Sequence, residues 1–248
     1  MSIPVILDNK EPDAPSVFEP RALLRQARRQ KGLSLADVPA LCILDPDGDI
    51  VHRLRNSRQV KLSDKWPCYH TDLYEFTLAN KPAGIIGCVV GAPFAVSVAE
   101  ELFACGCRML ISITSAGQIN AVGDPPYFVV IDRALRDEGT SYHYAGPTAF
   151  AEADPHIVNA AMSALMDKGL RAYVGASWTT DAPFRETASA IASSRAWGVL
   201  AVEMEAAALY TFARKATKRF SVSRMLPIQW ALLTEILRRA KGTAPSTL

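Results

Sequence analysis

Residues 199–210 read V-L-A-V-E-M-E-A-A-A-L-Y, and this stretch constrains the fold more than any other. Four apolar residues, 199–202, have the character of the end of a buried strand. Two carboxylates, Glu203 and Glu205, then flank Met204, and Ala206, Ala207 and Ala208 open a helix. Acids in the first turn of a helix face the positive end of its dipole, so a plain strand-to-helix junction accounts for them unaided. The run of alanines adds something else. It leaves one face of the helix without bulk and open to close approach.

Composition bounds what can surround this junction. With 248 residues, 49% of them apolar, the chain can bury the core of one α/β domain or of two small ones. A formal net charge of +2 gives no reason to expect a nucleic-acid partner. Five cysteines make no C-x-x-C pair, and the C-G-C of Cys105 and Cys107 fits neither zinc nor thioredoxin spacing. They read as reduced, mostly buried thiols, which suits a cytoplasmic protein. No H-x-x-H or Cys/His cluster offers a metal site, so neither a metal nor an organic cofactor is expected. The first residues mix acids, a lysine and prolines and do not read as a secretory signal. The uncharged run 83–99 is shorter than the roughly 20 residues that span a bilayer. Gly84, Gly87, Gly91 and Pro93 interrupt it, so it reads as strand, loop and helix start, and no membrane partner is expected.

Along the chain, residues 1–19 form a Pro-rich acidic arm, and residues 20–31 a basic amphipathic helix closed by Gly32. That basic run reads as a solvated face in preference to a phosphate or RNA site. A short strand at 39–44 leads into the turn Asp45-Pro46-Asp47-Gly48. Trp66, Tyr69, Tyr74 and Phe76 alternate with polar residues as in a strand and its flanks. The β-rich run 84–90 ends at Gly91-Ala92-Pro93, and a helix follows at 94–104 with Glu100 and Glu101 on its polar side. A glycine turn entering a helix N-terminus can present backbone N–H groups to an anion. A strand at 109–114 runs into Thr114-Ser115-Ala116-Gly117, and another covers 127–131. Asp154-Pro155 opens a helix that Gly169 stops, and the strand 172–178 precedes T-T-D-A-P-F-R-E-T at 179–187. This alternation predicts a single three-layer α/β domain, a central mixed β-sheet flanked by helices.

Three segments carry a family resemblance. E-M-E-A-A-A at 203–208, G-A-P-F-A-V-S-V-A-E-E-L at 91–102 and D-E-G-T-S-Y-H at 137–143 resemble, in order, motifs of the nucleoside phosphorylase superfamily, which includes purine and uridine phosphorylases. The resemblance runs from about residue 39 to 213. It implies a phosphorylase/hydrolase-like fold, a homo-oligomer, and a pentosyltransferase that cleaves the N-glycosidic bond of a nucleoside with phosphate as co-substrate. By the same resemblance Glu205 is the catalytic residue and accepts hydrogen bonds from the sugar hydroxyls, while Met204 packs on the sugar face. An acceptor-only carboxylate suits a diol, and a thioether suits an apolar ring face. Glu203 and Asp181 join the substrate-binding set. Phe184 would stack on the base and Arg185 bond its carbonyl oxygens, although the spacing fits a core Phe beside a surface Arg equally well. His143 would bond substrate or only cap a loop. Ser115 and the backbone amides after Gly91 would hold phosphate.

Two departures bear on that last role. The family's G-D-P-x-R element has Gly and Arg where Leu44 and Gly48 stand, and its second phosphate-binding Arg falls at Ser112. Charge-assisted bonds are about twice as strong as neutral ones, so losing both cations weakens phosphate binding. Hydrolysis by water and a catalytically inactive nucleoside binder therefore stay open beside phosphorolysis. The chain divides into an arm and basic helix at 1–38, the phosphorylase-like domain at 39–217 and an atypical tail at 218–248. The family gives a buried strand with a V-x-N-like end after 215, whereas residues 220–231 read F-S-V-S-R-M-L-P-I-Q-W-A. Read two bases on, codons permitted by these residues spell L-C-L-A-H-V-T-N-T-M-G, so the tail is expected to be out of frame, the alternative being a divergent helix. Its apolar stretch 228–237 would then cover the sheet by default, or not pack uniquely.

Overall fold

The computed structural model describes residues 4–8, 10–219 and 224–227. The apolar stretch 228–237 and the rest of the tail after 227 lie outside the described residues.

After a single 3-10 turn at Val5–Leu7, the elements in order are α1 (Pro20–Lys31), β1 (Leu41–Asp45), α2 (Asp49–Asn56), β2 (Lys61–Leu62), β3 (Tyr74–Leu78), β4 (Lys81–Gly87) and α3 (Ala92–Ala104). Then come β5 (Met109–Ser112), β6 (Gly117–Gln118), β7 (Phe128–Asp137), β8 (Phe150–Glu152), α4 (Pro155–Met166), β9 (Ala172–Thr180), α5 (Ala188–Ala196), β10 (Val199–Glu203), α6 (Ala206–Arg219) and β11 (Arg224–Pro227). The caps expected from sequence are where the chain needs them. Pro20 opens α1, and Gly32, with φ 64, ends it by donating its N–H to the Arg28 carbonyl. Asp154 caps α4 by accepting from the His156 amide.

The fold is α/β, with mixed sheets flanked by helices, but the strands form two sheets where one was expected. The six-stranded sheet runs β11-β5-β1-β4-β3-β2, with β11, β5, β1 and β4 parallel and the hairpin edge antiparallel. The five-stranded sheet runs β6-β10-β9-β7-β8, with parallel β10, β9 and β7 between antiparallel edges. Register breaks between Ile131 and Arg133 in β7 and between Val199 and Ala201 in β10 bend the second sheet. The first of these lets β7 run ten residues, well past the expected end at 131.

Strand periodicity sorts β1 between two layers. Cys42 and Leu44 face Leu102, Leu209 and Leu110 on the side of α1, α3 and α6, while Ile43 faces Ile50, Leu54 and Leu165 on the side of α2 and α4. β1 is buried along nearly its whole length, as a parallel strand covered on both faces must be. Two helices were not anticipated. α2 reads D-I-V-H-R-L-R-N, and only Ile50, Val51 and Leu54 turn inward, too few for an apolar repeat to stand out. α5 buries only Ser194 and shows no apolar stripe at all. Among the described residues, no helix is long and apolar enough to cross a membrane.

The three alanines that open α6 have a packing role. Ala206, Ala207 and Ala208 are fully buried. Ala206 and Ala207 pack in the cluster of Val129 and Ile131, and Ala208 packs on the α3 side with Leu102. Their small size lets β7 and α3 come close on both flanks, so the bare face is filled by protein. Ala207→Leu should therefore cost about 1–3 kcal/mol through overpacking. Urea denaturation checks this, and the variant's midpoint is expected to fall with m unchanged.

Candidate active site

Ligands of open α/β sheets sit beyond the carboxyl ends of parallel strands. Here those ends deliver the turn 45–48 after β1, the loop 88–91 after β4, the loop 113–117 after β5 and the junction 203–205 after β10.

Glu203 ends β10 with a carboxylate that is 5% exposed. Its Oε1 accepts from Ser177 Oγ at 2.9 Å and Thr179 Oγ1 at 2.5 Å, both on β9. Its Oε2 accepts the backbone amides of Glu205 at 2.7 Å and Ala206 at 2.6 Å. Thr179 Oγ1 in turn accepts the Ala207 amide at 2.9 Å. Amides at the start of a helix have no intrahelical partner, and a carboxylate there also meets the dipole. Burial pushes the Glu203 pKa up, and these hydrogen bonds oppose it. Four donors on two oxygens leave no vacancy for a sugar hydroxyl. With these bonds Glu203 caps α6.

Glu205 is 3% exposed, and its Oε1 accepts the Gly91 amide at 2.7 Å. Gly91, with φ 93, is the residue before α3. One bond thus ties the β10–α6 junction to the N-terminus of α3. Burial, then the Glu203 charge and more weakly Asp47, raise the Glu205 pKa from 4.5 to about 8, against the pull of the Gly91 and Met204 amides. Met204 lies between the two acids, half-buried.

The turn after β1 carries two further acids. Asp45 is fully buried; its Oδ2 accepts the Val51 amide at 2.9 Å, and its carbonyl accepts the amides of Gly48 at 2.9 Å and Cys88 at 3.0 Å. Burial, helped by Asp47, pushes Asp45 from 3.8 to about 6. Asp47 stands on the outer side of the turn. Its Oδ2 accepts the Ser115 amide at 2.6 Å and its Oδ1 the Ser115 hydroxyl at 3.0 Å. The Ser115 hydroxyl, expected to hold phosphate, is therefore bonded to a carboxylate of this chain together with the Ser115 amide, and so is the amide of Gly91 itself. Gly48 has φ 81, a left-handed conformation that strains any other residue, arginine included, and a Cβ there would need the Cys88 thiol, 2.5 Å away, to turn aside. Ser112 is 1% exposed, and its Oγ has no partner among the described residues.

The remaining expected residues sit on other loops. Asp181 Oδ2 accepts the Gly139 amide at 2.8 Å, which joins the loop after β9 to the loop after β7. His143 closes a 3-10 turn and is exposed. Phe184 is 97% exposed, and Arg185 beside it is also exposed, so Phe184 is not a core residue. Sequence reading missed Arg136. Its guanidinium bonds Ser141 Oγ at 2.8 Å, Thr148 Oγ1 at 2.8 Å and the carbonyls of Gly146 at 2.6 Å and Ala145 at 3.2 Å. It holds the 141–148 loop in place, and because the strand read from the sequence ended at 131, no pattern marked it. Among the described residues, no His, Cys, Asp and Glu side chains gather into a group that could hold a metal ion.

A family model described as the phosphorylase superfamily matches residues 40–228. Curated relatives include guanosine phosphorylase of Halorubrum lacusprofundi, 28% identical over 51% of this chain and 52% of that protein. A DeoD-type purine nucleoside phosphorylase of Bacillus cereus is 29% identical over 56% of this chain and 60% of that protein. The chain thus spans little more than half the length of the curated relatives it matches. Among solved structures, uridine phosphorylase from Vibrio fischeri ES114 has a TM-score of 0.66 at 21% identity, covering 83% of this chain and 87% of that one. The level of identity makes this a likeness of fold.

The raised carboxyls fix the sign of a pH dependence. Between 4.5 and about 8 the folded chain holds a proton on Glu205 that the unfolded chain has released. Its contribution is complete below that window and is lost as pH rises through it, at up to about 1.4 kcal/mol per pH unit. Asp45 acts in the same direction between 3.8 and about 6. Melting temperature should fall from pH 6 to pH 8.5 (about the upper part of the window), and Glu205→Gln should flatten that slope.

Proposed function

Since this chain belongs to the phosphorylase superfamily, we propose that it cleaves the N-glycosidic bond of a nucleoside. The observation that carries the reading is Glu205: a buried carboxyl beside Met204, fixed at the strand ends by the Gly91 amide. In glycosyl transfer the sugar becomes oxocarbenium-like, while negative charge moves to the leaving group. Ionised Glu205 accepts from the sugar hydroxyls and favours the positive sugar, and Met204 packs on its apolar face. The base lies toward the loop after β9, where Phe184 stacks on it, Arg185 meets its carbonyl oxygens and Asp181 and His143 complete the rim. The acceptor's oxygen bonds to the anomeric carbon as the C–N electron pair leaves with the base nitrogen, and the acceptor's proton ends on the base. No cofactor takes part. A homo-oligomer in the cytoplasm belongs to the same proposal.

With phosphate as acceptor the product is a pentose 1-phosphate, and with water a free pentose. The names of the curated relatives favour phosphorolysis. The loss of cations at Gly48 and Ser112 favours water. A screen of purine and pyrimidine nucleosides, each with and without phosphate, tests the reading: free base should appear from at least one, and none from any would overturn it.

Glu205→Gln should keep the fold and lower kcat/KM about tenfold to a thousandfold, the range for removing one transition-state hydrogen bond. In the unsubstituted chain kcat/KM should rise with pH through a group near 8, because the acceptor form of Glu205 is the ionised one. Steady-state rates against pH check both.

A further inference from the structure

The pair formed by Asp47 and Ser115 says more about the acceptor than the missing cations do. A loop N–H and the hydroxyl of the same residue converge on one carboxylate, at 2.6 Å and 3.0 Å. That is the donor pattern of an anion seat, occupied by a side chain of this chain. Asp47 is held to it by its own turn. The Gly48 amide closes the turn on the Asp45 carbonyl at 2.9 Å, and Pro46 fixes the backbone torsion just before Asp47. Asp47 also lies close enough to act electrostatically on both Glu205 and Asp45. The Gly91 amide beyond them is bonded to Glu205.

We propose that Asp47 selects the acceptor: its carboxylate fills the anion seat of Ser115 from within and keeps inorganic phosphate out, leaving water to take the sugar. The seat is a property of the chain by itself, and only the consequence for the acceptor rests on the N-glycosidic reading. Phosphate arriving at Ser115 must displace a bidentate, charge-assisted acceptor of its own sign. It would find no arginine at Gly48 or Ser112 to offset that charge. In the hydrolysis that remains, the water oxygen bonds to the anomeric carbon, the C–N pair leaves with the base, and one water proton ends on the base.

The test compares the full chain with Asp47→Ala and Asp47→Asn. Phosphate binding is read by calorimetry with sodium phosphate, against sodium chloride at matched ionic strength. Asp47 is exposed, so both variants should keep the circular dichroism of the parent. Asp47→Ala should bind phosphate at least about tenfold more tightly than the parent, with Asp47→Asn between them. Parent binding as tight as that of Asp47→Ala, or a folded Asp47→Ala that gains nothing, overturns the proposal. For any nucleoside cleaved, the parent should release free pentose, and pentose 1-phosphate from the parent also overturns it. If no nucleoside is cleaved by any of the three, the N-glycosidic reading fails while the binding arm still decides the part of Asp47.

Discussion

The carboxylate of Glu203 is the interaction on which the rest depends. It receives two hydroxyls from β9 and two amides from the first turn of α6, so one side chain joins the second sheet to the helix that crosses behind it. A carboxylate this deeply buried is costly unless it is fully bonded. Here the cost is offset by donors that would otherwise be orphaned at a helix start. Because Glu203 is spent inward, Glu205 is left as the acid directed toward the strand ends. The Glu203 charge, second only to burial, raises the Glu205 pKa.

What gathers around Glu205 is an acid-rich site. Asp45 and Asp47 come from the turn after β1, Glu203 and Glu205 from the end of β10, and each is bonded to backbone amides near the strand ends. The amide dipoles at loop ends and helix starts, which commonly bind an anionic ligand, here bind carboxylates of the chain. This is why the departures at Gly48 and Ser112 are more than missing contacts. Gly48 takes a left-handed backbone conformation that favours glycine over arginine, so the turn itself is shaped for a residue without the cation.

Much of the fold was legible. Caps and breakers marked α1 and α4, because Pro, Gly and Asp act through their own backbone or their nearest amides. Apolar runs marked β1 and β5, because parallel strands covered by helices need them. α2 and α5 stayed hidden, because a short helix with three inward residues, or one built of Ala and Ser, carries no readable period. The register breaks in β7 and β10 leave no trace in residue type, and neither does the division of the strands between two sheets. In the site, E-M-E-A-A-A marked the right junction, but spacing did not tell which acid turns inward. That is decided by Ser177 and Thr179, more than twenty positions away. Nor did D-P-D-G reveal that Asp47 would reach Ser115, a pairing between loops of two adjacent parallel strands.

The central claim is that a buried carboxyl pair organises the strand ends, with Glu203 bonded to the start of α6 and the Glu205 pKa raised to about 8. Carbon-13 NMR of the glutamate side-chain carboxyls through a pH titration addresses it directly. The account predicts one glutamate signal titrating near 8, absent in Glu205→Gln. If every glutamate titrates near its ordinary value of about 4.3, the buried pair does not exist as described and the account is wrong.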